Sequence, residues 1–273
     1  MKVHGSVLNR QMLMFIDDAR TNGRRAVQET VANALWKRNE EFLSALDDII
    51  NKHRFLHHPI YQTKESDFPN KEWAKRFYLG AGKLTETITN GVIHALSTSI
   101  QLQSRLGTKA VYSARFLLQI NLLDELGFRP ESVKVGCYAG HPNLSHFMLL
   151  VETLSQIGVS LQELEAYQAT DENRNFYRCF ENNYEDYTRL ICVLALFDKV
   201  FLNTVAEWLL EVANFSGIDV SQGYYSINVG DDAAADTWYL FQQAIIPERY
   251  DEMRVLIEET LETWAVWSDC LLA

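Results

Sequence analysis

Long segments of this chain repeat apolar residues at the spacing of an α-helix, and few helix-breaking residues interrupt them. Only 5 prolines and 13 glycines punctuate the 273 residues. The segment VQETVANALWKRNEEFLSALDDII places Val31, Leu35, Phe42, Leu46 and Ile49 on one stripe, as in an amphipathic helix. No period-two alternation stands out, so the sequence predicts an all-α, single-domain helical bundle.

Glycines and capping residues indicate where several helices end. Gly127 and Gly158 each follow an apolar helical segment and are expected to terminate it, because glycine readily adopts the left-handed conformation at a helix C-terminus. Asn143 precedes another such segment and is expected to cap it. The helical pattern breaks at Asn22–Gly23, so we predict an N-terminal extension over residues 1–25 and a helical domain over residues 26–273.

Charge and cysteine content exclude several classes of function. The formal net charge is −11 and the pI is about 5.1, which disfavours nucleic acid and anionic membranes as partners. No run of 18 apolar residues and no secretory signal is apparent, and the four cysteines form no CxxC pair, unlike a cysteine zinc site. We expect a cytoplasmic protein that binds neither nucleic acid nor membrane. The sequence leaves open whether it forms a homodimer.

Four ionisable side chains lie inside apolar helical patterns, where an unpaired charge is costly. They are Glu125 in INLLDELG, His146 in NLSHFMLLV, Asp198 in VLALFDKVFL and Asp232 in INVGDDAAAD. Each also has an ordinary explanation: a solvated last turn for Glu125, a core histidine for His146, or an arginine partner such as Arg189 for Asp198. Together, however, carboxylate, histidine, carboxylate and a polar helix are typical of helical iron or manganese sites.

The polar helix YYSINVGDDAAADTW has the spacing of a ligand helix. Asn228 and Asp232 lie four residues apart and Ala235 three further on, so all three share one helical face. An amide or a carboxylate can bind a metal, whereas the methyl group of Ala235 cannot. Asp231 and Asp236 lie beside this face and could substitute if the helix were rotated.

Two other groups of residues are weaker candidates for a metal-binding or catalytic site. His53 and His57 are four residues apart and could bind a metal, with a solvated helix end as the alternative. Cys192 lies in the most apolar helix and would be the nucleophile if the chain were a hydrolase. The sequence identifies no base beside it.

The order of several segments resembles the haem-oxygenase-like superfamily. These segments are DDIINKHRFLHHPIY, INLLDELG, SHFMLLVETLSQIGVSLQELEAY and YYSINVGDDAAADTW. Within that group, which includes thiaminase-II-like proteins and pyrroloquinoline quinone synthase, the chain is most similar to the iron-containing oxidases related to the chlamydial death-domain-associated protein. The resemblance implies a haem-oxygenase-like helical bundle.

The resemblance also implies a metal site with altered ligands. Metal-dependent members carry a glutamate, a histidine, a second glutamate and an H-x3-D-x2-H helix. On this chain those positions are Glu125, His146, Asp198, Asn228 and Asp232, with Ala235 in the sixth place. A one-residue shift would put Phe197 rather than Asp198 in the third. The metal implied is iron or manganese, and the loss of both helix histidines leaves open that the site binds none.

A second element of the resemblance concerns a tyrosine. Some chlamydial-type relatives look like 4-aminobenzoate synthases that use a tyrosine of their own chain, in an HxxY element that matches HPIY and therefore Tyr61. Their lysine partner corresponds to Trp208 here.

The sequence thus supports several hypotheses. The first is a metal-dependent oxidase or oxygenase that acts on a small-molecule substrate in an apolar helical pocket. The second is a metal-free pseudo-enzyme that binds a small ligand or a protein partner. A 4-aminobenzoate-synthase-like protein that uses Tyr61 and a thiaminase-like hydrolase that uses Cys192 are further alternatives.

Overall fold

The chain folds into a bundle of α-helices with one short β-ribbon. The computed structural model describes residues 19–130, 138–227 and 233–272. Within these ranges the helices are α1 (19–28), α2 (Asn33–Lys52), α3 (Lys71–Thr98), α4 (Gln103–Leu106), α5 (Thr108–Glu125), α6 (His146–Ser155), α7 (Leu161–Ala166), α8 (Asp171–Glu181), α9 (Tyr187–Leu196), α10 (Leu202–Ser216), α11 (Tyr224–Ile227), α12 (Ala233–Ala244) and α13 (Tyr250–Leu272). A π-helix, Phe197–Phe201, joins α9 to α10, and short 3-10 helices span Pro59–Gln62, Glu65–Asp67, Ser99–Leu102, Pro142–Leu144 and Pro247–Arg249. The prediction of an all-α single domain is confirmed.

Helix α9 lies at the centre of the bundle. All of its residues except Arg189 are buried, and it packs against α3, α8, α12 and α13. A helix that is apolar on every side is stable only when other helices surround it. None of the helices in the described ranges is both long and apolar enough to cross a bilayer.

Aromatic rings fill the interior between α8, the π-helix and α13. The ring centroids of Phe176 and Trp264 are 5.6 Å apart, those of Phe201 and Trp264 are 5.3 Å apart, and those of Phe55 and Phe201 are 5.7 Å apart. Phe197 stacks on Phe201 at 5.0 Å. Such contacts add to the burial energy of the rings, and we call this cluster the aromatic core.

Helix α1 crosses the domain boundary predicted at residue 25. It lies against α5, where the absence of a side chain at Gly23 lets its backbone approach Leu117 and Phe116 closely. Residues 19–25 are therefore packed as part of the helical bundle, through a contact between residues far apart in sequence.

The connection from α5 to α6 differs in two details from the sequence prediction. Phe128–Pro130 and Tyr138–Gly140 pair as antiparallel strands, too short to give a period-two signal. The Asn143 cap prediction is wrong: the cap of α6 is Ser145, whose hydroxyl accepts the Met148 N–H. Pro142 begins a 3-10 turn that contains Asn143, so the helix begins only at His146.

Gly127 is the tightest point of this connection. As predicted, it follows the end of α5, with a φ of +81°, and an added Cβ would lie 2.5 Å from both the Leu144 carbonyl carbon and the Ser145 nitrogen. The backbones before His146 and after Glu125 can therefore meet only through a glycine.

Gly127→Ala should lower the free energy of unfolding by more than the left-handed penalty alone, which is about 1–2 kcal/mol. Gly217→Ala is the matched control, because Gly217 has a φ of +84° and no atom within 4 Å of an added Cβ. Urea denaturation measures both variants. Equal losses of unfolding free energy in the two variants would show that the close backbone contact at Gly127 does not require a glycine.

Candidate functional site

The end of α5 and the start of α6 bring two predicted ligands together. His146 Nδ1 lies 3.0 Å from Glu125 Oε1, and His146 Nε2 lies 3.8 Å from Asp124 Oδ2. Thr89 of α3 hydrogen bonds to Glu125 Oε2 over 3.1 Å. His146 is buried, and Glu125 is partly buried. The imidazole is thus held between two adjacent carboxylates.

The π-helix directs a third predicted ligand towards α12. Thr237 Oγ1 donates to Asp198 Oδ2 over 2.9 Å, whereas Phe197 packs into the aromatic core against Phe180 and Trp264. Arg189, a suggested partner of Asp198, instead pairs with Glu252. A π-helix inserts one residue into a helical turn and is frequent at functional sites.

Two arginines of α1 meet a buried carboxylate of α12. Asp236 is fully buried and accepts hydrogen bonds from Arg20 Nη1 and, over 2.6 Å, from Arg24 Nε. Arg20 Nη1 also donates to Asn121 Oδ1 of α5 over 2.6 Å. Burial raises the pKa of the Asp236 carboxyl, and the charges of both arginines oppose that shift.

These contacts fall into three groups that share helices α5 and α12, and together we call them the polar centre. Asn121 and Glu125 are four residues apart on α5, so they lie on the same face about one turn apart. Asp236 and Thr237 are consecutive on α12. The polar centre consists of Arg20, Arg24, Asn121, Glu125, His146, Asp198, Asp236 and Thr237.

The remaining predicted ligands lie outside the described residues. This applies to Asn228 and Asp232, and also to Asp231. Helix α11, which precedes them, packs against α6: Tyr224 N donates to Thr153 Oγ1 over 3.2 Å, and the Tyr224 ring meets His146 edge-on at 6.3 Å. Ala235, at the sixth position, is partly buried and brings no donor atom.

Tyr61 lies on different elements from Glu125 and His146. Its hydroxyl is 2.6 Å from Ser268 Oγ of α13, and its ring meets Phe55 and Trp208 edge-on at 5.5 and 5.9 Å. Burial raises the pKa of Tyr61 above its usual value. Trp208, the position that the resemblance matches to a lysine, is therefore next to Tyr61 and places an indole ring there.

The weaker candidates have structural roles. His57 Nε2 lies 2.8 Å from the Asn51 carbonyl, and His53 Nδ1 accepts the Phe55 N–H over 3.2 Å. Cys192 is buried within α9, and burial raises the pKa of its thiol. A thiol with a raised pKa is largely neutral, and a neutral thiol is a poor nucleophile.

The described donor groups do not by themselves form a cluster of metal ligands. Among the side chains that the structure describes, no three histidine, cysteine, aspartate or glutamate residues are grouped as ligands of one ion. Asp236, a candidate substitute ligand, is bound by Arg20 and Arg24. The polar centre therefore already contains organic cations beside its carboxylates.

Sequence reasoning missed both arginines. Arg20 and Arg24 lie in the segment assigned to an N-terminal extension, and their partner Asp236 is 216 and 212 residues away. The available signal was their four-residue spacing, which puts both on one face of a helix.

Comparisons with known proteins identify the fold. Neither a protein-family model nor a curated protein matches the chain. A CADD-like protein of unknown function from Nostoc punctiforme superimposes with a TM-score of 0.64 at 12% identity, over 86% of this chain and 97% of that one. A TenA family transcription regulator from Silicibacter sp. gives 0.52 at 12% identity, over 93% and 96%. At this identity the likeness shows the fold alone: the chain has the helical fold of these two proteins.

Asp236→Ala should lower the free energy of unfolding by about 3 kcal/mol, because it leaves two arginines in a largely buried site without their carboxylate. Glu86→Ala is the control. It removes one carboxylate from the exposed Lys83–Glu86 pair and should cost about 0–1 kcal/mol. Urea denaturation measures the free energy of unfolding of both variants. A loss of stability in Asp236→Ala no larger than that in Glu86→Ala would contradict the pairing of Asp236 with the two arginines.

Proposed function

We propose that this chain is a metal-independent protein of the haem-oxygenase-like fold that binds a small organic ligand, with arginines in place of a metal ion at its polar centre. The observation that carries the proposal is the binding of Arg20 and Arg24 to the buried Asp236. A guanidinium group neutralises buried carboxylates as a divalent cation would, but it neither binds nor activates dioxygen.

Electrostatics support this assignment. A divalent ion near Glu125 would lie about one helical turn from Asn121, and Arg20 donates to Asn121. In a partly buried site the repulsion between the ion and the guanidinium groups is only weakly screened. Metal binding would therefore work against the contact that holds α1 to α5 and α12.

Ligand chemistry supports it as well. Iron sites of helical bundles combine carboxylates with imidazoles, and the ligand helix implied by the resemblance has Asn228 and Ala235 in the histidine positions. His146 is the imidazole that remains of the implied set, and its Nδ1 faces Glu125. A hydrogen bond between the two explains their contact without a metal.

A metal-dependent oxidase is the second candidate, and one observation favours it. Two ligands of one ion lie about as far apart as two hydrogen-bonded atoms, so the 3.0 Å between Glu125 and His146 is also compatible with a shared metal. The π-helix at Asp198 is a feature frequent at functional sites. Iron or manganese bound there would supply oxygen activation.

Metal titration separates the candidates. The purified protein, handled anaerobically, is titrated with ferrous and manganous ions by calorimetry, and its metal content is measured after desalting. We expect no saturable binding, and the same result for Glu125→Ala and His146→Ala. Arg20→Gln combined with Arg24→Gln should raise manganous affinity, because the variant removes the repulsion and releases Asp236.

Binding of about one equivalent of either metal to the unmodified protein would overturn the proposal if Glu125→Ala abolishes it and Glu86→Ala does not. The function would then be the oxidase. Glu86 is a suitable control because it is an exposed carboxylate of α3 that pairs with Lys83.

A further inference from the structure

A groove between α2 and α12 has the composition of a binding site for organic cations. Its volume is about 520 Å³. Its lining includes the aromatic residues Trp36, Trp238 and Tyr239 and the charged residues Lys37, Glu40 and Asp47. The groove is thus of the size that small ligands occupy.

The aromatic residues form one side of the groove. Trp36 and Tyr239 pack against each other with their ring centroids 5.6 Å apart, and Trp238 is supported from the inside by Phe241 at 5.9 Å. Trp238 and Tyr239 are partly exposed. Aromatic faces attract cations, and tryptophan attracts them most strongly.

An ammonium group of the chain itself already occupies this surface. Lys199 Nζ lies 4.0 Å from the centroid of the Trp238 ring and 3.0 Å from Asp47 Oδ1. Its two contacts, an aromatic face and a carboxylate, are those by which proteins recognise organic ammonium ligands. Lys199 lies in the π-helix, next to Asp198 of the polar centre.

We propose that the groove binds a small organic ammonium compound at the position of Lys199 Nζ, between Trp238 and Asp47, with Lys199 as an internal competitor. The Lys199–Asp47 pair is partly exposed on both sides, at 37% and 45%. Such pairs hold weakly, so a ligand that also fills the groove can displace the lysine. Glu40 adds a second carboxylate to the lining. This site is distinct from the polar centre and does not depend on whether a metal binds there.

Competition between Lys199 and a probe cation tests the proposal. The probe is choline, and its neutral counterpart is 3,3-dimethylbutan-1-ol, in which carbon replaces the charged nitrogen. Lys199→Met removes the competing charge but keeps an unbranched side chain. By calorimetry, choline should bind this variant about fivefold more tightly than the unmodified protein, the effect of one partly exposed cation–π contact, and the neutral alcohol should bind neither.

Matched variants identify the site. Lys37→Gln also removes a lysine charge from the groove lining, but not the one above Trp238, and should change choline affinity by less than about twofold, as expected for an exposed charge. Adding Trp238→Leu to the Lys199→Met variant should abolish the increase in choline affinity. If Lys199→Met does not fold, Lys199→Gln tests the same prediction.

Three results would overturn the proposal. The first is no saturable binding of choline to a folded Lys199 variant. The second is equal binding of choline and the neutral alcohol, which would indicate a merely apolar groove. The third is an increase in choline affinity in Lys37→Gln as large as that in Lys199→Met, which would be an effect of net charge alone.

Discussion

The buried carboxylate of Asp236 is the constraint on which the polar centre depends. A charge with no exposed surface is tolerated only when opposite charges and hydrogen bonds compensate for lost hydration, and here the compensation comes from Arg20 and Arg24. Helix α1 must therefore pack against α5 and α12. Gly23 permits the close approach to α5, and Arg20 reaches Asn121 from there. The N-terminal helix is thus part of the polar centre, to which it contributes two positive charges.

The π-helix connects the polar centre with the surface groove. Two consecutive residues of the π-helix contact different partners: Asp198 accepts a hydrogen bond from Thr237, and Lys199 contacts Asp47 and Trp238. Both residues contact α12: Asp198 contacts its inner side, and Lys199 contacts its side at the groove. Asp198 and Lys199 thus contact consecutive residues of α12, Thr237 and Trp238.

Local signals in the sequence predicted part of this arrangement. The helical period predicted the all-α bundle, and the glycine after Glu125 correctly marked the end of α5 before the turn to His146. Three features depended on information that local patterns lack. The pairing of Asp236 with Arg20 and Arg24 joins residues separated by more than half of the chain. The π-helix adds a single residue, which leaves the apolar pattern intact. Because Pro142 begins a 3-10 turn, α6 begins after Asn143 rather than at it. Asn228 and Asp232 remain predictions.

The central claim is that arginines, not a metal ion, neutralise the polar centre. Anomalous X-ray diffraction from crystals grown with manganous ion tests it most directly, because the anomalous signal locates manganese independently of the ligands assumed. The account predicts density for the Arg20 and Arg24 guanidinium groups on Asp236 and no anomalous peak beside Glu125 and His146. An anomalous peak coordinated by Glu125 and His146, with the arginines displaced from Asp236, would contradict it.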